Sequence, residues 1–482
     1  MIDIRPASLI VGWLVLLLGA TMLLPLGLDL LDRDPNAEAF ALSAILTMTS
    51  GAMVAVASTG SAPPRLDARQ TFLLTFAAWA VFPAVAGVPL MLGAPHLSFT
   101  DAYFEMTSAM TTTGGTVIVG LDELPRGALL WRGLVSWIGG MGVILLAMIM
   151  LPVLNIGGMQ ILRAADFDTL EKVMPRAKDI ALSIGAVYLV LTVACGLGYV
   201  WAGMSAFDGF VHAMTTIATG GMANYDTSFA RFSPAALWIG TVFMLLGAMS
   251  FIRFVQFTRG DPGAIWRDSQ IRVFLGLYLA LVLGLVVARA LNGDVVDATA
   301  VREAAFNMAS IISTTGFTST DYGLWGPLAE TLFFCAMMVC GCSGSTCGGP
   351  KVFRYQLLAQ AIAGEVRRLH RPSVVFVPHF QGARVTDDVL DSVIAFLVMF
   401  FLTLGIGAVA LVLLGLDPVS AVSGAAASLS NIGPGLGPVL GPVGNYASLN
   451  DAAKWVCSFL MLVGRLELLT VYVLFAAAFW RG

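Results

Sequence analysis

Charge is scarce along this 482-residue chain: Asp, Glu, Lys and Arg together make up 12%, about half the share of a typical soluble domain. Hydrophobic residues reach 58%, so water cannot be the solvent for most of the surface. There are 26 basic against 30 acidic residues, and nothing in that balance attracts a nucleic acid. No glycine-rich loop ends in Gly-Lys-Ser/Thr and no Gly-x-Gly-x-x-Gly follows a strand, which excludes recognisable sites for ATP hydrolysis or NAD. The six cysteines lie within or beside apolar runs, where neither disulfides nor exposed thiols are expected. Cys340, Cys342 and Cys347 are close in sequence, but no histidine nearby completes a metal site. Paired ligands at helical spacing are also lacking, and no enzyme is expected.

What the chain does have is length of apolar sequence. Windows that can cross a bilayer run from about 8 to 31, 38 to 59, 69 to 93, 128 to 153, 180 to 203, 234 to 256, 271 to 291, 325 to 360 with a break, 389 to 415 and 452 to 479. The first is too long for a cleavable signal and lacks its small-residue cleavage site. One set of connecting loops carries 18 Lys and Arg, Lys351 and Arg354 among them, and the other set carries 7, Arg132 among them. That asymmetry places both termini in the cytoplasm.

Four short polar stretches interrupt the apolar sequence: Thr111-Thr112-Thr113-Gly114-Gly115, Ile217-Ala218-Thr219-Gly220-Gly221, Ser313-Thr314-Thr315-Gly316-Phe317 and Ser430-Asn431-Ile432-Gly433-Pro434. With Gly114, Gly220, Gly316 and Gly433 aligned, a unit of roughly 100 residues recurs four times. All four stretches fall on the outer side. The expected fold is an all-α polytopic membrane protein, with four pseudo-symmetric helix, pore-loop and helix repeats around one central pore and two extra N-terminal transmembrane helices. The expected divisions are 1–64 for the extension and 65–177, 178–268, 269–385 and 386–482 for the repeats.

Before each stretch lies a segment too short to span. It opens on helix-capping residues: Ser98, Thr100 and Asp101, then Ser205 and Asp208, Asp297 and Thr299, and Asp417 and Ser420. About 12 helical residues cover roughly 18 Å of a core of about 30 Å, so each segment must enter and return. A re-entrant helix points its negative end at the membrane centre, and the extended residues after it leave carbonyls that survive only beside a polar path or an ion. Four such ends form a cation site of carbonyl and hydroxyl oxygens. Without a ring of carboxylates it suits a weakly hydrated monovalent cation.

The third unit's second helix is broken by Gly341-Cys-Ser-Gly-Ser-Thr-Cys-Gly-Gly349, with Gly344 and Ser345 at its centre and Gly348 near its end. Arg465, inside the last span, is expected at similar depth. Either it clamps carbonyls of that loop or its charge raises a barrier to cations beside a movable gate. Glu105 is either a structural anchor or part of a cation-attracting field. His212 and His370 are read as a packed and a solvated side chain.

Phe104-Glu-Met-Thr-Ser-Ala-Met-Thr-Thr-Thr-Gly114, Trp131-Arg-Gly-Leu-Val-Ser-Trp-Ile-Gly-Gly-Met-Gly142, Asn155-Ile-Gly-Gly-Met-Gln160 and Gly464-Arg-Leu-Glu-Leu-Leu-Thr470 resemble the TrkH branch of the TrkH/Trk/Ktr potassium transporters over the whole chain. Gly115 stands where that family usually has alanine, and three cysteines enter the third-unit loop. The resemblance implies potassium ligands from Thr112, Thr113, Ala218, Thr219, Thr314, Thr315, Asn431 and Ile432, held by Gly114, Gly220, Gly316 and Gly433. It favours the gating role of Gly341, Gly344, Ser345, Gly348, Gly349 and Arg465. It further implies potassium uptake across a bacterial inner membrane by a homodimer, and control by a cytosolic TrkA-like ring that binds nucleotide. No cofactor besides the transported K+ is expected. The alternative is a symporter coupling K+ to H+ or Na+, with Glu105 and Glu467 the main candidate acidic ligands.

Overall fold

The computed structural model describes residues 3–60, 67–150, 177–371 and 377–481. The Asn155 to Gln160 motif and the basic run from Arg163 to Arg176 lie outside the described residues. Two N-terminal helices, spanning Arg5–Asp32 and Ala37–Ala57, form an antiparallel hairpin. Their backbones nearly touch, since a Cβ built on Gly51 would lie 2.5 Å from the Leu16 nitrogen. Close backbone approach of this kind is how helices associate when lipid supplies no hydrophobic drive.

Four units follow, each with a first helix, a short re-entrant helix, an extended stretch and a second helix. The first helices are Arg69–Leu92, Lys178–Trp201, Ser269–Leu291 and Asp387–Leu413. Among the described residues the second helix is unbroken in the first unit alone, Arg126–Met150. Among the described residues, seven helices are long and apolar enough to cross a bilayer, or nine if two bent pairs count as one span each. Exposed Leu, Val, Ile and Phe side chains on the long helices face outward, as expected where lipid is the solvent.

The second helices of units 2 and 4 depart from the expected straight spans. Pro234–Gly247 and Phe251–Thr258 meet at 93°, and Asp451–Arg465 and Leu469–Phe475 at 106°. The first break is satisfied from another unit: Cys342 donates to the Ala248 carbonyl at 2.8 Å, and Phe251 donates to the Gly344 carbonyl at 3.0 Å. Broken backbone inside a membrane is tolerated where protein supplies such partners. The second break contains Glu467 at φ 60° and Leu468 at φ 18°. In unit 3 the expected interruption is present, between Pro327–Met337 and Val352–His370.

Candidate ion pathway

The four short helices are Phe99–Met110, Ala206–Ile217, Ala298–Ile312 and Pro418–Leu429. Each starts with a side chain that accepts from the backbone N–H three residues on: Ser98, Ser205, Asp297 and Asp417. This capping satisfies one of the free donors at each start. Each ends alike. The N–H of Thr113, Gly220, Thr315 and Ile432 donates 2.8 Å to the carbonyl of Ser108, Thr215, Ser310 and Ala427. The residue before is left-handed in every case: Thr112 at φ 54°, Thr219 at 50°, Thr314 at 55° and Asn431 at 56°. Such a reversal is a common helix stop for glycine or asparagine, but for β-branched threonine it is a true outlier and costs of order 1–3 kcal/mol. Three strained threonines in equivalent places mark a geometry that the surroundings enforce.

This shared ending sets the register, and it corrects the second unit. The left-handed glycines are Gly114 (φ 87°), Gly221 (62°), Gly316 (89°) and Gly433 (96°), so Gly221 and not Gly220 matches the others. Gly220 is the counterpart of Thr113, Thr315 and Ile432. Ala218 is the right-handed residue that caps the end of its helix, the counterpart of Thr111, Ser313 and Ser430. The Thr-Gly-Gly sequence offers two glycines for one left-handed position, and only the tertiary placement selects between them.

The four stretches close into a ring. A Cβ on Gly114 would lie 2.7 Å from the Gly220 carbonyl oxygen, on Gly221 2.0 Å from that of Thr315, on Gly316 2.0 Å from that of Ile432, and on Gly433 2.6 Å from that of Thr113. Each unit's glycine thus makes room for a carbonyl of the next, and the fourth returns to the first. The same four glycines line one cavity of about 150 Å3, with Tyr446 and Asp226 in its wall. Tyr446 was not expected from sequence; its hydroxyl donates to the Gly433 carbonyl at 2.7 Å. Asn431 donates to Thr113 Oγ1 at 3.1 Å and to the Met461 carbonyl at 2.9 Å, tying the fourth stretch to the first.

The glycine-rich loop lies directly against the helix ends beneath this ring. It leaves and re-enters through a bridge between Cys340 and Lys351, where Cys340 donates to the Pro350 carbonyl at 3.0 Å. Thr346 donates to the carbonyls of Ile217 and Gly247 at 3.0 and 3.1 Å, and the Gly348 N–H donates to Thr314 Oγ1 at 3.0 Å. A Cβ on Gly348 would meet the Ser430 carbonyl at 2.5 Å. Gly344 and Gly349 are left-handed, and Ser345 turns its hydroxyl back to the Cys342 carbonyl at 2.6 Å. Gly341 is packed on Ala248 and Cys347. The loop therefore contacts the endings of units 2, 3 and 4 at once.

Arg465 is 4% exposed, and none of its three guanidinium nitrogens has a hydrogen-bond partner among the described residues. The carbonyl clamp that sequence allowed is absent there. Lys351 and Arg354 are not cytoplasmic loop residues. Both are buried, Lys351 with Nζ donating 2.5 Å to the Cys347 carbonyl, and Arg354 pairing with Glu467 and lying 3.6 Å over the Phe396 ring. Arg132 is also buried, not in an outer loop: it pairs with Glu105 at 2.8 Å and donates to the Ala223 carbonyl of unit 2. Glu105 further accepts from Thr116 Oγ1 and the Val117 N–H, so it anchors the chain leaving the first stretch.

His212 is buried, with Nδ1 on the Asp208 carbonyl and rings of Phe229 and Phe232 around it, as a packed side chain should be. His370 is exposed. Among the described residues no group of three or more His, Cys, Asp or Glu is placed to hold a metal, and the six cysteines form no disulfide.

A family model described as TrkH, cation transport protein, matches residues 37–481. The Trk system potassium uptake protein TrkI of Halomonas elongata is 42% identical over 475 residues, spanning 98% of this chain and 96% of its own. The Trk system potassium uptake protein TrkH of Escherichia coli strain K12 is 35% identical over 483 residues, 99% of each chain. The crystal structure of the potassium transporter TrkH from Vibrio parahaemolyticus aligns with a TM-score of 0.91 and 36% identity over 100% of both chains.

Proposed function

The chain belongs to the TrkH family of cation transport proteins, whose named relatives are transporters and not enzymes, and from that membership we propose that it takes up potassium through the four-glycine ring. The observation that carries the reading is the cycle of four left-handed glycines, each cradling a carbonyl of the next unit and all lining one cavity. Carbonyls held this way replace water around a weakly hydrated cation. The ligands in this reading come from Thr112 and Thr113, Thr219 and Gly220, Thr314 and Thr315, and Asn431 and Ile432.

The loop from Gly341 to Gly349, with Arg465, is the gate in this reading. A run of glycines and serines in contact with three helix endings has the backbone freedom for a second arrangement, and an unpaired buried cation repels K+ strongly. The assembly is a homodimer in a bacterial inner membrane, controlled by a cytosolic TrkA-like ring that binds nucleotide. Both termini are cytoplasmic: with the buried Lys351, Arg354, Arg132 and Lys454 set aside, the loop asymmetry is still 16 against 5.

Channel-like flux is favoured over symport because the two candidate acidic ligands are already engaged, Glu105 with Arg132 and Glu467 with Arg354. A potential of 100 mV is worth about 2.3 kcal/mol per charge, a concentration ratio of roughly 50, so no coupling ion is needed. The test is K+ flux into liposomes at set voltage, with and without gradients of H+ or Na+. Flux that follows voltage alone is expected; flux that stops without one of those gradients would make the chain a symporter.

A further inference from the structure

A second cavity, of about 590 Å3, lies between Ser269–Leu291, Val352–His370 and the short hairpin from His379 to Arg384. That is within the range of about 300–1,000 Å3 that takes a small organic ligand. Its apolar lining is Val273, Leu277, Val339 and Val352, with Val273 46% exposed and Val352 buried. Its mouth is polar, with Ser269, Gln356, Gln360, His379 and Gln381. Ser269 opens its helix directly after the capping Asp268, so the mouth lies where that helix enters the membrane and the cavity runs inward from there.

Two buried polar atoms among the mouth residues have no partner among the described residues: Gln356 Oε1, an acceptor, and Gln381 Nε2, a donor. The other end of each amide is engaged. Gln356 Nε2 donates to the Ser269 carbonyl at 3.1 Å, and Gln381 Oε1 accepts from Arg253 at 2.6 Å. Arg384 is opposite His379 in the hairpin register and exposed, and exposed Arg272 precedes Val273, whereas Arg253, behind Gln381, is already paired with buried Asp268 at 2.6 Å. Among the described residues no carboxylate lines the cavity.

We propose that this cavity binds an anionic phospholipid with a hydroxylated headgroup, one acyl chain lying along Val273, Leu277, Val339 and Val352 and the phosphate at the mouth. A phosphate oxygen accepts from Gln381 Nε2, a headgroup hydroxyl donates to Gln356 Oε1, and Arg272 and Arg384 supply the complementary charge. Val339 and Val352 flank the Cys340 and Lys351 bridge that closes the glycine-rich loop, and Tyr355 holds the Met338 carbonyl at 2.5 Å. A chain in the cavity therefore braces the two ends of that loop. Its effect on flux rests on the loop being the gate, whereas the binding itself does not.

Native mass spectrometry of the full-length, delipidated protein tests the site, by titration with phosphatidylglycerol or with phosphatidylcholine of the same chains. One phosphatidylglycerol per chain is expected to bind about tenfold more tightly than phosphatidylcholine. Val273→Phe with Ala359→Phe, both positions lining the cavity, should abolish that binding, while Leu279→Phe on the outer helix face should leave it unchanged. Gln356→Leu, which removes the free acceptor at nearly constant volume, should reduce the affinity to that of phosphatidylcholine and decides the matter if the filled variant fails to fold. Equal binding of the two lipids, or retention of phosphatidylglycerol by the filled variant, would overturn the proposal. So would dissociation of an oligomer by cavity filling without loss of lipid preference, since a second copy would then be the occupant.

Discussion

Arg354 and Glu467, 113 positions apart, form a 2.5 Å ion pair that joins the segment after the glycine-rich loop of unit 3 to the helix break of unit 4. Arg354 is fully buried and Glu467 largely so, so each charge depends on the other. The two irregular segments beneath the ring are thereby held as one piece.

Removing one partner leaves the other charge stranded. Glu467→Gln or Arg354→Met is expected to destabilise the protein by about 3 kcal/mol, the low end for a buried pair because Glu467 keeps some solvent. Arg354→Met combined with Glu467→Leu should recover much of that loss. Thermal unfolding in detergent measures it, and additive losses in the double variant would mean the pair is not coupled.

The register in unit 2 can be read from two adjacent glycines. Gly221→Ser places a side chain against the Thr315 carbonyl at a left-handed backbone, and should lower the K+ to Na+ flux ratio by about tenfold. Gly220→Ala clashes chiefly with the hydroxyl of Ser136, at 2.0 Å and without a hydrogen-bond partner among the described residues, with Thr112 Cβ next at 3.3 Å, so adding Ser136→Gly should restore most of the selectivity. If Gly221→Ser keeps its selectivity in liposomes while Gly220→Ala with Ser136→Gly loses it, Gly220 is the filter glycine after all.

Arg465→Ala should raise K+ flux by about tenfold or more, since a buried unit charge within several ångströms of a cation is worth a few kcal/mol even at an effective dielectric near 20. Lower flux through a normally inserted variant would mean that Arg465 supports the fold and not the barrier.

Gly344→Ala with Ser345→Ala should uncouple flux from the nucleotide state of the proposed regulatory ring. Gly344 sits at φ 72°, so a Cβ strains the turn, and its carbonyl is the acceptor for the Phe251 N–H at the unit 2 break. Liposome flux with the partner and each nucleotide measures this. A double variant that still responds fully would remove the loop from the control path.

Local chemistry made much of this protein legible. The four capping positions, Ser98, Ser205, Asp297 and Asp417, are where the residue types say they should be, because a cap depends only on the next three residues. The interruption from Gly341 to Gly349 was equally plain, as such a run of glycines and serines cannot remain helical cheaply. The membrane environment followed from composition alone.

Long-range partners decided the rest. Gly220 and Gly221 are equivalent as letters, and the choice between them is made by where the Thr315 carbonyl stands. The bends after Gly247 and Arg465 lie in strongly apolar sequence; the first is held open by hydrogen bonds from a loop about 100 residues away, which no local pattern contains. Lys351, Arg354 and Arg132 look like loop charges until Cys347, Glu467 and Glu105 are brought beside them. A charge is placed in or out of a membrane by the partner it finds, and that partner is chosen by the packing of the four units around their common axis.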